Sequence, residues 1–133
     1  MSDHMVSQQQ PGPLDATLSG LLVRSGRRDT VAFAELYAAL RADVHAQARR
    51  DAYNVNHVAA IVCGVFLEVW HLAAEHAHDG RGVRKWIAGI TQVRVDERNR
   101  HNGDGRRCLA EYDSHSEREL SAVLSSPDSR TPA

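Results

Sequence analysis

Residues 54–78, NVNHVAAIVCGVFLEVWHLAAEHAH, decide the fold of this 133-residue chain. Apolar residues recur in this stretch at the 3.6-residue period of an α-helix, and Asn54 or Asn56 stands where an N-cap is expected. The stretch contains no lysine or arginine, so its helix presents a continuous apolar stripe to a core. The stripe consists of Val58, Val62, Val65, Phe66, Val69, Leu72 and Ala73.

Helical periodicity continues on both sides of this stretch. Upstream, the leucines of residues 14–22 and the apolar positions of residues 33–48 predict two helices. Gly26 ends the first of these helices, and Asp29 is a good N-cap for the second. Downstream, a turn with two glycines at residues 79–82 precedes a fourth helix. The apolar side of that helix consists of Trp86, Ile87, Ile90 and Val93.

No stretch shows convincing strand alternation, so the sequence predicts an all-α fold, a small bundle of about four helices. We expect residues 1–13 to form a disordered lead-in and residues 14–103 to form the helical domain. The C-terminal segment, residues 104–133, contains a weak helix candidate at Ser116–Leu124 and a tail rich in serine and proline, which we also expect to be disordered.

Composition limits the class of protein. Apolar residues make up 42% and charged residues 25% of the chain, which is enough for one modest core. Cys63 and Cys108 are too few for a disulfide scaffold and lack zinc-ligand spacing. Residues 1–13 lack the apolar core of a signal peptide, and the uncharged run Val58–Leu67 is about half of a membrane span. We therefore expect a cytoplasmic protein that makes no contact with a membrane.

Charge is distributed in blocks along the chain. Residues 51–80 contain four acids and neither lysine nor arginine, whereas residues 81–107 contain eight basic residues and three acids. Residues 108–133 are again acidic, with two basic residues and five acids. Although the net charge of the whole chain is only −1, its predicted fourth helix is basic and its predicted third helix is acidic. A local nucleic-acid contact is compatible with this pattern, whereas a uniformly cationic binder is not.

Three segments resemble region 2 of the extracytoplasmic-function (ECF) sigma factors of bacterial RNA polymerase. Residues 21–24 with Asp29–Tyr37 resemble the opening of that region, and Val65–Trp70 (VFLEVW) resembles the end of its core-binding helix. Val83–Ile90 (VRKWIAGI) resembles the start of the helix that meets the −10 promoter element. The three segments occur in the family's order and spacing and cover about residues 20–100.

The resemblance implies a transcription-initiation protein that is not an enzyme and needs no cofactor. In the family one helix binds the core polymerase, and the next helix with its preceding loop holds the single-stranded −10 element. Here that loop corresponds to residues 76–82 and that helix to residues 83–101. Basic side chains there would neutralise phosphates. The candidate DNA-binding residues are Arg81, Arg84, Lys85, Arg94, Arg98 and Arg100.

Two departures from the family motivate a second interpretation. The acids that usually lead the core-binding helix are replaced by His57, Ala59, Ala60, Cys63 and Gly64. Residues 108–133 are also too short for the helix-turn-helix that reads the −35 element. The chain is then either a domain of a longer factor or a stand-alone, degenerate sigma-like module. Such a module would bind a protein partner, either an anti-sigma factor or a second copy of itself.

The altered face of the third helix is the candidate protein-interaction site. Its residues are Ala60, Gly64, Leu67, Glu68 and His71. A glycine inside a helix costs about 1 kcal/mol relative to alanine, and small residues four apart allow a second helix to approach closely. The alternative is that the C-terminal segment covers this face with Tyr112, Leu120, Val123 and Leu124.

Two further groups of residues have an ordinary and a functional interpretation. His71, Glu75, His76 and His78 have metal-ligand spacing, but a solvated helix end is the usual role of such residues. Trp70 and Trp86 are expected in the core, although Trp86 could instead stack on a base. No catalytic triad spacing or phosphate-binding glycine loop is present in the sequence, which favours a binding protein over an enzyme.

Overall fold

The computed structural model describes residues 15–76, 82–100 and 106–125 of the chain, and the side chains of its last helix from residue 113 onward. The predicted lead-in (residues 1–13) and the predicted tail after Ser125 lie outside the described residues. The helices are α1 (Asp15–Gly26), α2 (Thr30–Asp51), α3 (Val58–His76), α4 (Val83–Arg100) and α5 (Arg106–Ser125), with a 3₁₀ turn at Val55–His57.

The described residues form an all-α domain of five packed helices without a strand. The all-α prediction is confirmed, but the predicted number of about four helices is corrected by α5. The weak candidate at Ser116–Leu124 belongs to a helix of 20 residues. Its polar sequence obscures the pattern, because only one narrow side of residues 113–125 packs against the rest of the bundle, and Ser116 on that side is itself buried.

The start of α2 and the turn before α3 are fixed by side-chain caps. The Asp29 carboxylate accepts hydrogen bonds from the backbone N–H groups of Val31 and Ala32, both at 3.1 Å. These two N–H groups have no partner inside the helix, and the carboxylate satisfies both. The prediction that Asp29 is the N-cap of this helix is confirmed. Asn54 accepts from the N–H of Asn56 at 2.9 Å, so Asn54 is the capping residue of the 3₁₀ turn.

Helix α3 is the centre of the bundle and packs against each of the other four helices. Val65, Phe66 and Val69 are fully buried, and so are Phe33 of α2 and Leu18 of α1. Within the described residues, Val55–His76 is the one helical stretch long and apolar enough to cross a membrane, with a mean hydropathy of 1.7. Core helices commonly meet this criterion, and half of the stretch is buried, so it is weak evidence for a membrane span.

Helix α1 approaches α3 most closely at Gly26. A Cβ atom added there would lie 2.8 Å from the Cα and 2.9 Å from the backbone nitrogen of Ala74. Both atoms belong to a helical backbone and cannot rotate away. Gly26 is the last residue of α1, as its position in the sequence predicts, and its lack of a side chain allows the two helix ends to meet.

Helix α4 lies beside α2, and the two run in the same direction. Polar contacts connect them at the beginning, middle and end of α4, and these contacts fix which side of α4 faces the bundle. They are Arg84 to Asp43 (2.9 Å), Gln47 to the Ala88 carbonyl (3.1 Å) and to Gln92 (3.2 Å), and Asn99 to the Tyr53 N–H (2.9 Å) and to the Asp51 carbonyl (3.1 Å).

Candidate functional site

The structure divides the predicted DNA-binding residues of α4 into two sets. Arg84, Arg94 and Arg98 pair with carboxylates of three different helices, whereas Lys85 and Arg100 are exposed. Arg81 lies outside the described residues. The five of these residues that the structure describes therefore do not form one continuous cationic surface.

Arg84 is held by Asp43 of α2, with 2.9 Å between Nη1 and Oδ2. The Asp43 side chain is largely exposed to solvent. Exposed pairs of this kind contribute about 1 kcal/mol or less, because water and salt screen the attraction. The Arg84–Asp43 contact is the most exposed of the three ion pairs of α4.

Arg94 is held by Glu68 of α3. Its Nη2 and Nε lie 2.8 Å and 2.9 Å from the same carboxylate oxygen, Oε1. The arginine side chain crosses above Gly64, and a Cβ atom added to Gly64 would lie 3.9 Å from its Cδ, Nε and Nη1 atoms. The space over Gly64 is thus occupied by this chain's own arginine.

Arg98 forms the most enclosed of the three ion pairs. Its Nη2 donates to Oδ1 of Asp113 on α5, and the two side chains are 12% and 23% exposed. Its Nη1 is buried and has no hydrogen-bond partner among the described residues. A guanidinium in this position attaches α5 to α4 and is not available to a phosphate.

The outward face of α4 carries few and mixed charges. Lys85 and Arg100 are its basic residues, and Asp96 and Glu97 are its acidic ones. Three of the five basic residues of α4 are thus paired with acids of α2, α3 and α5. For two of these pairs, Arg94–Glu68 and Arg98–Asp113, the sequence contained a signal, since acidic blocks stand directly before and after the basic one.

Helix α5 packs on the predicted protein-interaction face of α3. Leu67 is buried, Ala60, Gly64 and Glu68 are half-buried, and His71 is exposed. His71 Nε2 lies 2.9 Å from Glu119 Oε2 of α5. The covering residues are the buried Ser116 and Leu120, with Val123 and Leu124 packed at the margin of the core. The side chain of Tyr112, the fourth predicted covering residue, lies outside the described residues.

An open groove of about 500 Å³ remains between α3, α4 and α5. Its two acidic residues already contact basic ones, Glu68 with Arg94 and Glu119 with His71. It is lined by Gly64, Leu67, Glu68, His71, Leu72, Arg94, His115, Ser116 and Glu119.

Replacing Gly64 by alanine is expected to raise the free energy of unfolding by up to about 1 kcal/mol, because alanine is the better helix former. The added Cβ makes only ordinary contacts of 3.9 Å with Arg94. Urea unfolding followed by circular dichroism measures the change. Gly89→Ala on α4, where nothing lies within 4 Å of the added atom, is the matched control and should give a similar gain. A loss of stability in Gly64→Ala alone would show that the site has no room.

Cys63 is a buried thiol on the same side of α3. Burial raises its pKa to about 11, and the carboxylates of Glu117, Asp113 and Glu119 add to the increase. Both effects disfavour the thiolate, which is the reactive form of cysteine. Cys63 is therefore a packing residue with low reactivity.

In a Cys108→Ser background, Cys63 is expected to react with an aromatic disulfide reagent at pH 8 about a hundredfold more slowly in the folded than in the unfolded protein. The pKa increase from 9.0 to about 11 also makes the folded state less stable as pH rises from about 9 to about 11, because the unfolded chain releases the thiol proton first. Equal rates with and without urea would contradict the assignment.

Both tryptophans make ring contacts within the bundle. Trp70 lies 5.0 Å from Phe33 between ring centroids, and the Arg28 guanidinium lies 4.6 Å over its indole while Nη1 donates to its carbonyl. Trp86 stacks on His76 with centroids 4.4 Å apart and an interplanar angle of 26°.

The imidazoles of His71 and His76 therefore contact different helices, and His78 lies outside the described residues. Among the side chains that the structure describes, there is no group of three or more potential metal ligands.

Comparison with known proteins gives this chain no relative. No protein-family model, no curated protein and no solved structure matches it.

Proposed function

We propose that this chain is a sigma region 2-like transcription-initiation protein of the cytoplasm, which binds the RNA polymerase core and the −10 promoter element and has no catalytic activity. One observation carries the proposal. The three segments that resemble ECF sigma factors fall on consecutive packed helices, at the α1–α2 connection, in the middle of α3 and at the start of α4. The expected core-binding and DNA-binding helices are thus neighbours in one bundle.

The ion pairs assign different tasks to the basic residues of α4. Arg94 and Arg98 orient α4 against α3 and α5, and Arg84 connects it to α2. Lys85 and Arg100 face solvent and are the residues of α4 that would contact phosphates. Each such contact releases a counterion, which makes binding of single strands weaken with salt by a slope of about −0.7 per phosphate.

The test is binding of a fluorescent single-stranded −10 oligonucleotide, measured by anisotropy at several salt concentrations. The unchanged protein should show a negative salt slope, and the double variant Lys85→Gln/Arg100→Gln should reduce that slope by about 1.4. The matched control is Arg41→Gln/Arg49→Gln, which removes the same charge from exposed positions on α2. Binding without salt dependence, or an equal loss in both double variants, would contradict the proposed interface.

A second candidate function is favoured by the pairing of three arginines and by the missing acids of α3. In this alternative the chain is a degenerate sigma-like interaction module that binds an anti-sigma factor or a second copy of itself and does not recognise promoters. Affinity capture with purified core polymerase distinguishes the two. Retention of the core polymerase supports the transcription factor, and its absence, together with absent oligonucleotide binding, supports the interaction module.

A further inference from the structure

The outward face of α4 carries a stripe of four residues spaced four apart: Lys85, Gly89, Val93 and Glu97. All four are exposed. Val93 keeps 57% of its surface accessible, so the prediction that it lies on the apolar side of this helix is wrong. Gly89 has no atom within 4 Å of the position of an added Cβ. Neither Lys85 nor Glu97 makes an ion pair within the described part of the chain. The middle of the stripe therefore has open space above Gly89 next to the apolar side chain of Val93. Its two ends carry opposite charges, with Lys85 at one end and Glu97 at the other.

This stripe is complementary to the same stripe on a second copy of the chain that runs in the opposite direction. A two-fold axis passing level with Thr91 places Val93 of one copy opposite Gly89 of the second copy. The same axis places Lys85 opposite Glu97, once at each end of the contact. Residues four apart form the ridges along which helices most often pack, and a missing side chain lets two such ridges approach closely.

We infer that this face of α4 binds a second copy of the chain in an antiparallel arrangement. Each Val93 fills the space above the partner copy's glycine, and each lysine pairs with the partner copy's glutamate. A two-fold contact of this kind doubles every favourable interaction, which is why self-complementary patches form symmetric dimers. The choice of a second copy over another partner follows from the charges, since opposite ends of the same stripe carry opposite signs.

The contact consists of only four residues from each copy, so the dimer is expected to form only at high protein concentration. The contact also covers Lys85, which the proposed promoter interface uses. Dimer formation and single-strand binding would then exclude each other. The inference rests on and deepens the second candidate function, because it names the partner and the surface. Its test uses neither DNA nor polymerase, so its failure leaves the promoter-binding proposal standing.

The experiment is sedimentation equilibrium of the full chain from about 10 µM to about 1 mM, the range in which weak association becomes visible. The unchanged protein should gain mass with concentration. Lys85→Glu and Glu97→Lys should each weaken association by at least about tenfold, because each variant brings two like charges together at both ends. Thermal unfolding by circular dichroism checks that both variants remain folded, as expected for exposed positions.

An equimolar mixture of the two variants gives the sharpest result. In the mixed dimer both ends again join a glutamate to a lysine, so association should return to the strength of the unchanged protein. Gly89→Leu fills the space above the helix and should prevent association whatever the charges are. A constant monomer mass for the unchanged protein, or a mixture that associates no better than its components, would overturn the inference.

Discussion

Replacing Gly26 by alanine is expected to lower the free energy of unfolding by about 1–3 kcal/mol. The added Cβ would lie 2.8 Å from the Cα of Ala74 and 2.9 Å from its nitrogen. Neither atom can move without shifting the end of α3, so α1 has to separate from the helix on which it packs. Urea unfolding followed by circular dichroism measures the loss.

Gly20 provides the control for this prediction within the same helix. It is exposed, and nothing lies within 4 Å of an added Cβ. Gly20→Ala should therefore stabilise the protein by up to about 1 kcal/mol through helix propensity alone. The two substitutions are chemically identical but should act in opposite directions. Similar stability changes in both variants would show that α1 does not approach α3 as described.

Replacing Asp113 by alanine is expected to destabilise the protein by about 3 kcal/mol, because it leaves the Arg98 guanidinium enclosed without its counter-charge. Only 12% of the Arg98 side chain is exposed, and its Nη1 already has no partner among the described residues. Water can therefore compensate for the lost carboxylate only in part. Chemical unfolding of the single variant measures the effect.

Two further variants separate this burial effect from the loss of charge in general. Glu119→Ala removes another ion-paired carboxylate from α5, but the His71–Glu119 pair is 54% and 37% exposed, so the loss should stay below about 1 kcal/mol. Arg98→Met combined with Asp113→Leu removes both charges and should recover most of the stability. Equal effects of Asp113→Ala and Glu119→Ala would contradict the buried pair.

Local patterns in the sequence were sufficient to predict much of the fold. The 3.6-residue period located four helices, Asp29 was identified as an N-cap, and the stripe on α3 lies in the core except for Leu72, which is half-buried. These features depend only on neighbours within one turn of helix. The full length of α5 was missed because its apolar side is narrow and includes a buried serine.

The partners of the charged residues could not be predicted in the same way. Arg94 meets Glu68 and Arg98 meets Asp113 only after α3, α4 and α5 have packed together. The sequence shows charge blocks of opposite sign but not which members meet across helices. Gly26 illustrates the same limit, since its role beside Ala74 depends on a helix that begins 32 residues later, at Val58.

The stacked rings of His76 and Trp86 join the last residue of α3 to the beginning of α4, across residues 77–81. Indole emission is sensitive to an aromatic ring in contact with it. Because Trp70 and Trp86 are the only tryptophans, a Trp70→Phe variant would carry a single tryptophan, whose emission can be excited apart from that of tyrosine, beside that segment. A change in the fluorescence of Trp86 can therefore show, without any added label, when an oligonucleotide or a protein binds at this end of α4.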